Sequence, residues 1–126
     1  MLLLLCCAVI RAESFIENFE SGLPTSASSS ETQATLASGL WTLKGVCVKK
    51  DNGSQRAAMS TNAYLVTPAL SQPQRITFIH RASGNGKKLV VEKSLDGGAT
   101  WTELGISTVS SSTPYGSSSF KVNSTE

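Results

Sequence analysis

The chain is poor in the residues that most chemistry needs. It holds one histidine, three cysteines, four prolines and 6% aromatic residues, and 16% of its 126 residues are charged. Cys6 and Cys7 lie in the first apolar stretch, which leaves Cys47 as the one thiol beyond it. No intrachain disulfide can form in that remainder. A structural zinc site lacks its ligands for the same reason. His80 stands without a G-x-S-x-G elbow, so a nucleophilic triad has no serine to activate. Glu92, Asp96 and Glu103 gather around one turn rather than across a cleft, as a glycosidase pair would require. The net charge of +2 is weak, and the basic residues are scattered apart from Lys49-Lys50 and Lys87-Lys88. That distribution gives no nucleic-acid footprint. No apolar run reaches the ~20 residues that cross a bilayer. Intrinsic catalysis is therefore not expected.

The first apolar run is still informative. Residues 1–12 read MLLLLCCAVIRA and look like the centre of a signal peptide; a cut after Ala12 is one option, although Ile10 at the −3 position suits it less well than alanine would. Lipidation of Cys6 or Cys7 would want a small residue before the cysteine, which Leu5 and Cys6 are not. The division expected is a signal-like segment over 1–12 and one domain over 13–126, secreted or on the cell surface.

What is present favours strands. Hydrophobic residues make up 40% of the chain, and serine, threonine and glycine are abundant. This suits a β-sandwich with Ser/Thr-rich faces. The strongest local signal is residues 87–104, KKLVVEKSLDGGATWTEL. Two strand-like runs flank Asp96-Gly97-Gly98, where a turn needs positive φ and glycine supplies it. The Asp96 carboxylate can accept backbone N–H groups further on and pin the turn. Residues 75–82 alternate, with Ile76, Phe78 and His80 on one face. Further strands are expected over 13–20, 40–50, 55–60, 63–70 and from 117 onward. The strand over 40–50 should be interrupted near Gly45. Asn52-Gly53 should form a hairpin, Thr61-Asn62 a turn, and Pro68 should end its strand. Residues 25–38 and 107–116 read as Ser/Thr-rich connections, and Cys47 as a small core residue. No stretch carries a capped helical stripe.

Two resemblances follow from these residues. Ser94-Leu95-Asp96-Gly97-Gly98-Ala99-Thr100-Trp101 resembles the Asp-box hairpin of sialidase-type propellers. It occurs once, and a propeller needs several blades, so the likeness implies a structural hairpin only. The ordered set Phe19-Glu20-Ser21-Gly22-Leu23-Pro24, Trp41, Tyr64-Leu65-Val66-Thr67-Pro68-Ala69-Leu70, Ile76-Thr77-Phe78 and Val91-Glu92-Lys93-Ser94 is similar to choice-of-anchor J or MAM-like jelly-roll domains. These are accessory domains of secreted bacterial proteins such as pectate lyases and peptidases. The resemblance implies an all-β, antiparallel jelly-roll-like sandwich that stops in mid-strand at its C-terminus. It also implies a structural calcium site, with Glu20 and Asp51 or Asn52 as ligands.

The expected function is a non-catalytic accessory module that binds carbohydrate or positions a larger secreted protein, whose downstream domain is its partner. Exposed aromatic faces stack sugar rings. The chain offers Trp41, Trp101, Tyr64 and Tyr115; Tyr115, in a Pro-Gly-Ser-rich stretch, is the first candidate, followed by Trp41 and Trp101, while Tyr64 is expected to be half-buried beside Leu65. A structural or protein-adhesion module is the alternative, as is the N-terminal piece of a polysaccharide-degrading enzyme such as a pectate lyase.

Overall fold

The computed structural model describes residues 2–6, 16–51, 53–71, 73–111 and 115–122, with the backbone alone at 2–6 and 51. The fold is all-β. Its strands are β1 (Leu2–Cys6), β2 (Thr32–Leu36), β3 (Gly39–Asp51), β4 (Ser54–Val66), β5 (Arg75–His80), β6 (Lys87–Ser94), β7 (Thr102–Val109) and β8 (Gly116–Lys121). One sheet has six strands in the order β2-β3-β4-β1-β6-β7; the other pairs β5 with β8. Among the described residues no helix is long and apolar enough to cross a membrane.

The alternation of apolar and polar residues decides which face of the large sheet is inside. Trp41, Leu43, Ala63, Leu65, Leu89 and Val91 are buried, while their neighbours Thr42, Tyr64, Val66 and Val90 are half-buried on the other face. The small sheet packs on the inner face, where Ile76 and Phe78 join the core. The Phe120 ring lies directly over Gly105; a Cβ there would stand 2.5 Å from the ring. Residues 16–30 close another part of the core. Leu23 is buried in it, Gly45 N donates to Ser28 O (2.8 Å) and Val48 N to Pro24 O (2.8 Å).

The expected β5 face, the β6–β7 hairpin and the end of β4 before Pro68 are all present. The Asn52-Gly53 hairpin joins β3 to β4, with Asp51 paired to Ser54 and Gly53 at φ 86°; Asn52 itself lies outside the described residues. Cys47 is half-buried on β3 with a free thiol.

Four expectations are corrected. Residues 16–20 form no strand, because their side chains take up their own backbone. Glu17 Oε1 accepts Phe19 N (2.8 Å), Asn18 Oδ1 accepts Glu20 N (3.1 Å), and Phe19 sits at φ 59°. Residues 25–38 are not all loop: β2 pairs with the start of β3, from Thr32 opposite Leu43 to Leu36 opposite Gly39. Thr61-Asn62 does not turn the chain. It lies in a bulge where the register jumps between Lys44 and Val46, with Gly45 at φ 68°, Asn62 at φ 61° and Ser60 Oγ donating to Gly45 O (3.1 Å). Residues 107–109 are the end of β7, and Ser107 and Val109 are buried there.

One arrangement is unlike the rest. β1, inside the stretch expected to leave as a leader, lies in the middle of the large sheet and runs parallel to both β4 and β6. Cys7 and the candidate cut site after Ala12 lie outside the described residues.

Candidate functional site

A cavity of about 200 Å³ opens on the outer face of the large sheet, lined by Glu31, Thr42, Tyr64, Val66, Gly97, Gly98 and Trp101. One wall is the turn between β6 and β7. Ser94 Oγ donates to Asp96 Oδ1 (2.8 Å) and accepts Gly98 N (2.8 Å). Asp96 Oδ1 accepts Thr100 N (2.9 Å), and Oδ2 accepts Thr100 Oγ1 (2.5 Å). The Thr100 hydroxyl, then its backbone N–H and the Ser94 hydroxyl, bring the Asp96 carboxyl down to about 2. Gly97 and Gly98 take φ of 72° and 96°. Trp101 folds back onto this turn and its indole N–H donates to Gly98 O (3.1 Å).

The opposite wall comes from β3 and β4. Thr42 is paired with Val66, and Lys44 with Tyr64, so Thr42, Tyr64 and Val66 lie on the outer face. The Tyr64 hydroxyl donates to Glu31 Oε2. This bond, with burial and the carboxylate charge adding to it, pushes the phenol up to about 12. The cavity therefore joins an indole, a phenol, a carboxylate, a hydroxyl and glycine backbone. Such a set can hold a small polyhydroxylated ring, but it supplies no activated nucleophile.

The candidate aromatic residues fall in three different places. Trp101 borders the cavity. Trp41 is in the core, 3% exposed, with its indole N–H on Ser38 Oγ (2.8 Å) and its ring 5.5 Å from Phe19. Tyr115 is 39% exposed and does not line the cavity. Its hydroxyl accepts Arg56 Nη1 (2.6 Å), and the Arg81 guanidinium lies 5.6 Å from its ring centre. A cation over the ring face takes up part of the surface a sugar would use. Glu31, Thr42 and Val66 are not among the candidates read from the sequence, and Tyr64, expected to be half-buried beside Leu65, is half-buried yet lines the cavity. The outward half of the alternation 41–43 and 64–66 was the signal for Thr42, Tyr64 and Val66; Glu31 sits in a Ser/Thr/Ala-rich stretch that carries none.

Glu20, exposed, accepts Gln55 N through Oε2 (3.0 Å), which puts it beside the β3–β4 hairpin that holds Asp51. Calcium takes six to eight oxygens. Among the described residues no group of three or more His, Cys, Asp or Glu side chains could hold a metal ion. The side chain of Asp51 and all of Asn52, the other two expected ligands, lie outside the described residues.

His80 is half-buried, with Nε2 at 2.8 Å from Ser118 Oγ and 3.3 Å from Ser107 Oγ. The two serine oxygens are 2.5 Å apart, and His80 Nδ1 is buried without a partner. The orienting carboxylate of a triad is not among these contacts.

No family model, no curated protein and no solved structure matches this chain.

Proposed function

We propose that this chain is a non-catalytic accessory module of a larger secreted protein, a jelly-roll-like sandwich that binds carbohydrate in the cavity between Tyr64 and Trp101. The observation that carries the reading is the cavity itself. A space of about 200 Å³ bounded by Trp101, Tyr64, the Glu31 carboxylate and the Thr42 hydroxyl suits one sugar ring. Aromatic side chains offer apolar faces to the C–H side of a sugar, and the polar groups meet its hydroxyls. The Glu31 carboxylate at the rim disfavours an acidic sugar by like-charge repulsion, so the ligand class is a neutral sugar. Secretion rests on the leader-like residues 1–12, and the reading requires no metal.

The test is a titration of the isotopically labelled protein with neutral and uronic-acid sugars. Neutral sugars should move the amide signals of Thr42, Gly97 and Gly98 at millimolar concentration, and uronic acids should move them less. No movement with any sugar would reject the cavity as a carbohydrate site. Equal movement with both classes would reject only the neutral preference.

A further inference from the structure

The small sheet packs on the inner face of the large one, so its own outer face points away from the cavity and shares no residue with it. On β5 the exposed residues are Arg75, Thr77 and Ile79; on β8 they are Ser117, Ser119 and Lys121. The register sets them opposite one another as Arg75–Lys121, Thr77–Ser119 and Ile79–Ser117. Val122 N donates to Gln74 O (2.9 Å), which makes 74 and 122 a hydrogen-bonded pair. Pairs alternate along an antiparallel ladder, so all three exposed pairs are of the close, non-hydrogen-bonded kind.

Two cations therefore stand directly opposite each other at the closest spacing a sheet offers. Like charges in that position are destabilising. Arg75 Nη1 donates to Ser119 Oγ (2.8 Å), which lies 3.0 Å from Thr77 Oγ1. A third cation reaches the same end: Lys93, half-buried, donates to Val122 O (2.9 Å). Among the described residues none of the three cations is paired with a carboxylate. Glu92 precedes Lys93 on β6 and points to the other face of the large sheet, opposite Glu103. The guanidinium edge that Ser119 leaves over matches a carboxylate in a planar fork, and the Lys121 ammonium adds a compact charge beside it.

We propose that this face binds an acidic polysaccharide, with one carboxylate of the chain bridging Arg75 and Lys121 and sugar hydroxyls meeting Thr77 and Ser119. The charges that repel each other within the pair become the attraction for the ligand. The hydroxyls beside them favour a polyhydroxylated chain over other polyanions. One exposed apolar side chain, Ile79, is too little to seat the face in a membrane. No aromatic ring on this face can stack a base. An acidic peptide would take its main-chain bonds at a sheet edge rather than on a face.

The test titrates the labelled full chain with a short oligomer of a hexuronic acid, its neutral hexose counterpart and an oligoglutamate of equal charge. The uronic oligomer should shift the amide signals of Thr77, Ser119 and Lys121 and the side-chain signal of Arg75, and added salt should weaken it. Arg75→Gln and Lys121→Gln should each weaken binding about tenfold or more, the worth of a hydrogen bond to a charged group. Because the pair is repulsive, Lys121→Gln should keep or raise the denaturant midpoint at low salt, which separates lost binding from lost fold. A midpoint that falls instead would remove the ground for the site. No shift with the uronic oligomer, or an equal shift with the neutral one, would overturn it. Equal affinity for the oligoglutamate would overturn the polysaccharide as its ligand. Arg75 and Lys121 signals that move on Glu126→Gln with no ligand added would assign the place to a carboxylate of this chain and end the proposal. Shifts confined to Thr42, Gly97 and Gly98 would reject this face and leave the cavity standing.

Discussion

On one side of the cavity, the hydrogen bonds that shape residues 94–101 all join groups no more than four positions apart. On the other side, nothing is local. Thr42 and Val66 meet through the β3–β4 register, and Glu31 meets Tyr64 across 33 positions. The first wall is a property of eight residues. The second exists only when β3 and β4 are registered and the core beneath them is filled. The two walls of one cavity should thus respond to different insults.

The largest effect is expected from Leu43→Ala. Leu43 is 1% exposed on the inner face of β3, one residue from Thr42. Truncating a buried leucine costs about 2–5 kcal/mol through lost transfer free energy and the space left behind. The denaturant midpoint should fall accordingly. Under native conditions amide exchange should quicken much more at Thr42 and Leu65 than at Gly98 and Thr100. Equal acceleration at all four would show that the turn is not self-sufficient, and the contrast between the walls would be lost.

The same contrast explains what could be read from the chain before its fold was known. Asp96-Gly97-Gly98 announces its turn because the reason for it lies within the motif. The alternation in β5 is legible because one face is packed and the other is not. Residues 16–20 mislead, since Phe15, Ile16 and Phe19 suggest a strand. The Glu17 carboxylate instead accepts from Phe19 N two residues on, and across the fold from Ser38 N (2.9 Å) and Ser38 Oγ (2.6 Å). Burial works against the Glu17 carboxylate, yet these bonds outweigh it and leave its pKa below the ordinary value. β2 hides in a stretch of small polar residues because its strand character comes from its partner, β3. Of the candidate aromatics, Trp101 is beside a turn that could be read, so its neighbourhood followed. Trp41 and Tyr115 needed tertiary partners, Ser38 and Phe19 for the one and Arg56 and Arg81 for the other.

A smaller, local effect is expected from acid. The Asp96 carboxyl titrates near 3.8 when free and near 2 in the fold. A lowered folded pKa contributes stability above the free value, and that contribution is lost as pH falls through the folded one. Between about pH 4 and pH 2 the turn should loosen. The Thr100 amide signal should move with a midpoint near 2, and Trp101 fluorescence with it. Asp96→Asn should abolish the titration, because the amide keeps one acceptor oxygen and has no proton to lose in this range. A Thr100 midpoint near 4 would mean that the carboxylate is not held by its hydroxyl and N–H donors.

The smallest effect on stability belongs to the Tyr64–Glu31 pair, and it is the most direct probe of the second wall. Both groups are on the surface side of the sheet, so Glu31→Gln should change the unfolding free energy by no more than about 0.5 kcal/mol. The phenol should report it clearly all the same. With Glu31 present, its proton is held by a carboxylate, and ionisation is delayed to about 12 from the ordinary 10. The sign runs opposite to that of Asp96: a raised folded pKa contributes below the free value and is lost as pH climbs to the folded one. In a Tyr115→Phe background, which leaves one tyrosine, the phenolate absorbance should rise with a midpoint near 12. Glu31→Gln should bring that midpoint back towards 10. If the midpoint stays near 12, the carboxylate is not what holds the Tyr64 proton. If it is already near 10 with Glu31 intact, strands β3 and β4 do not bring the pair together in solution, and the cavity loses its second wall.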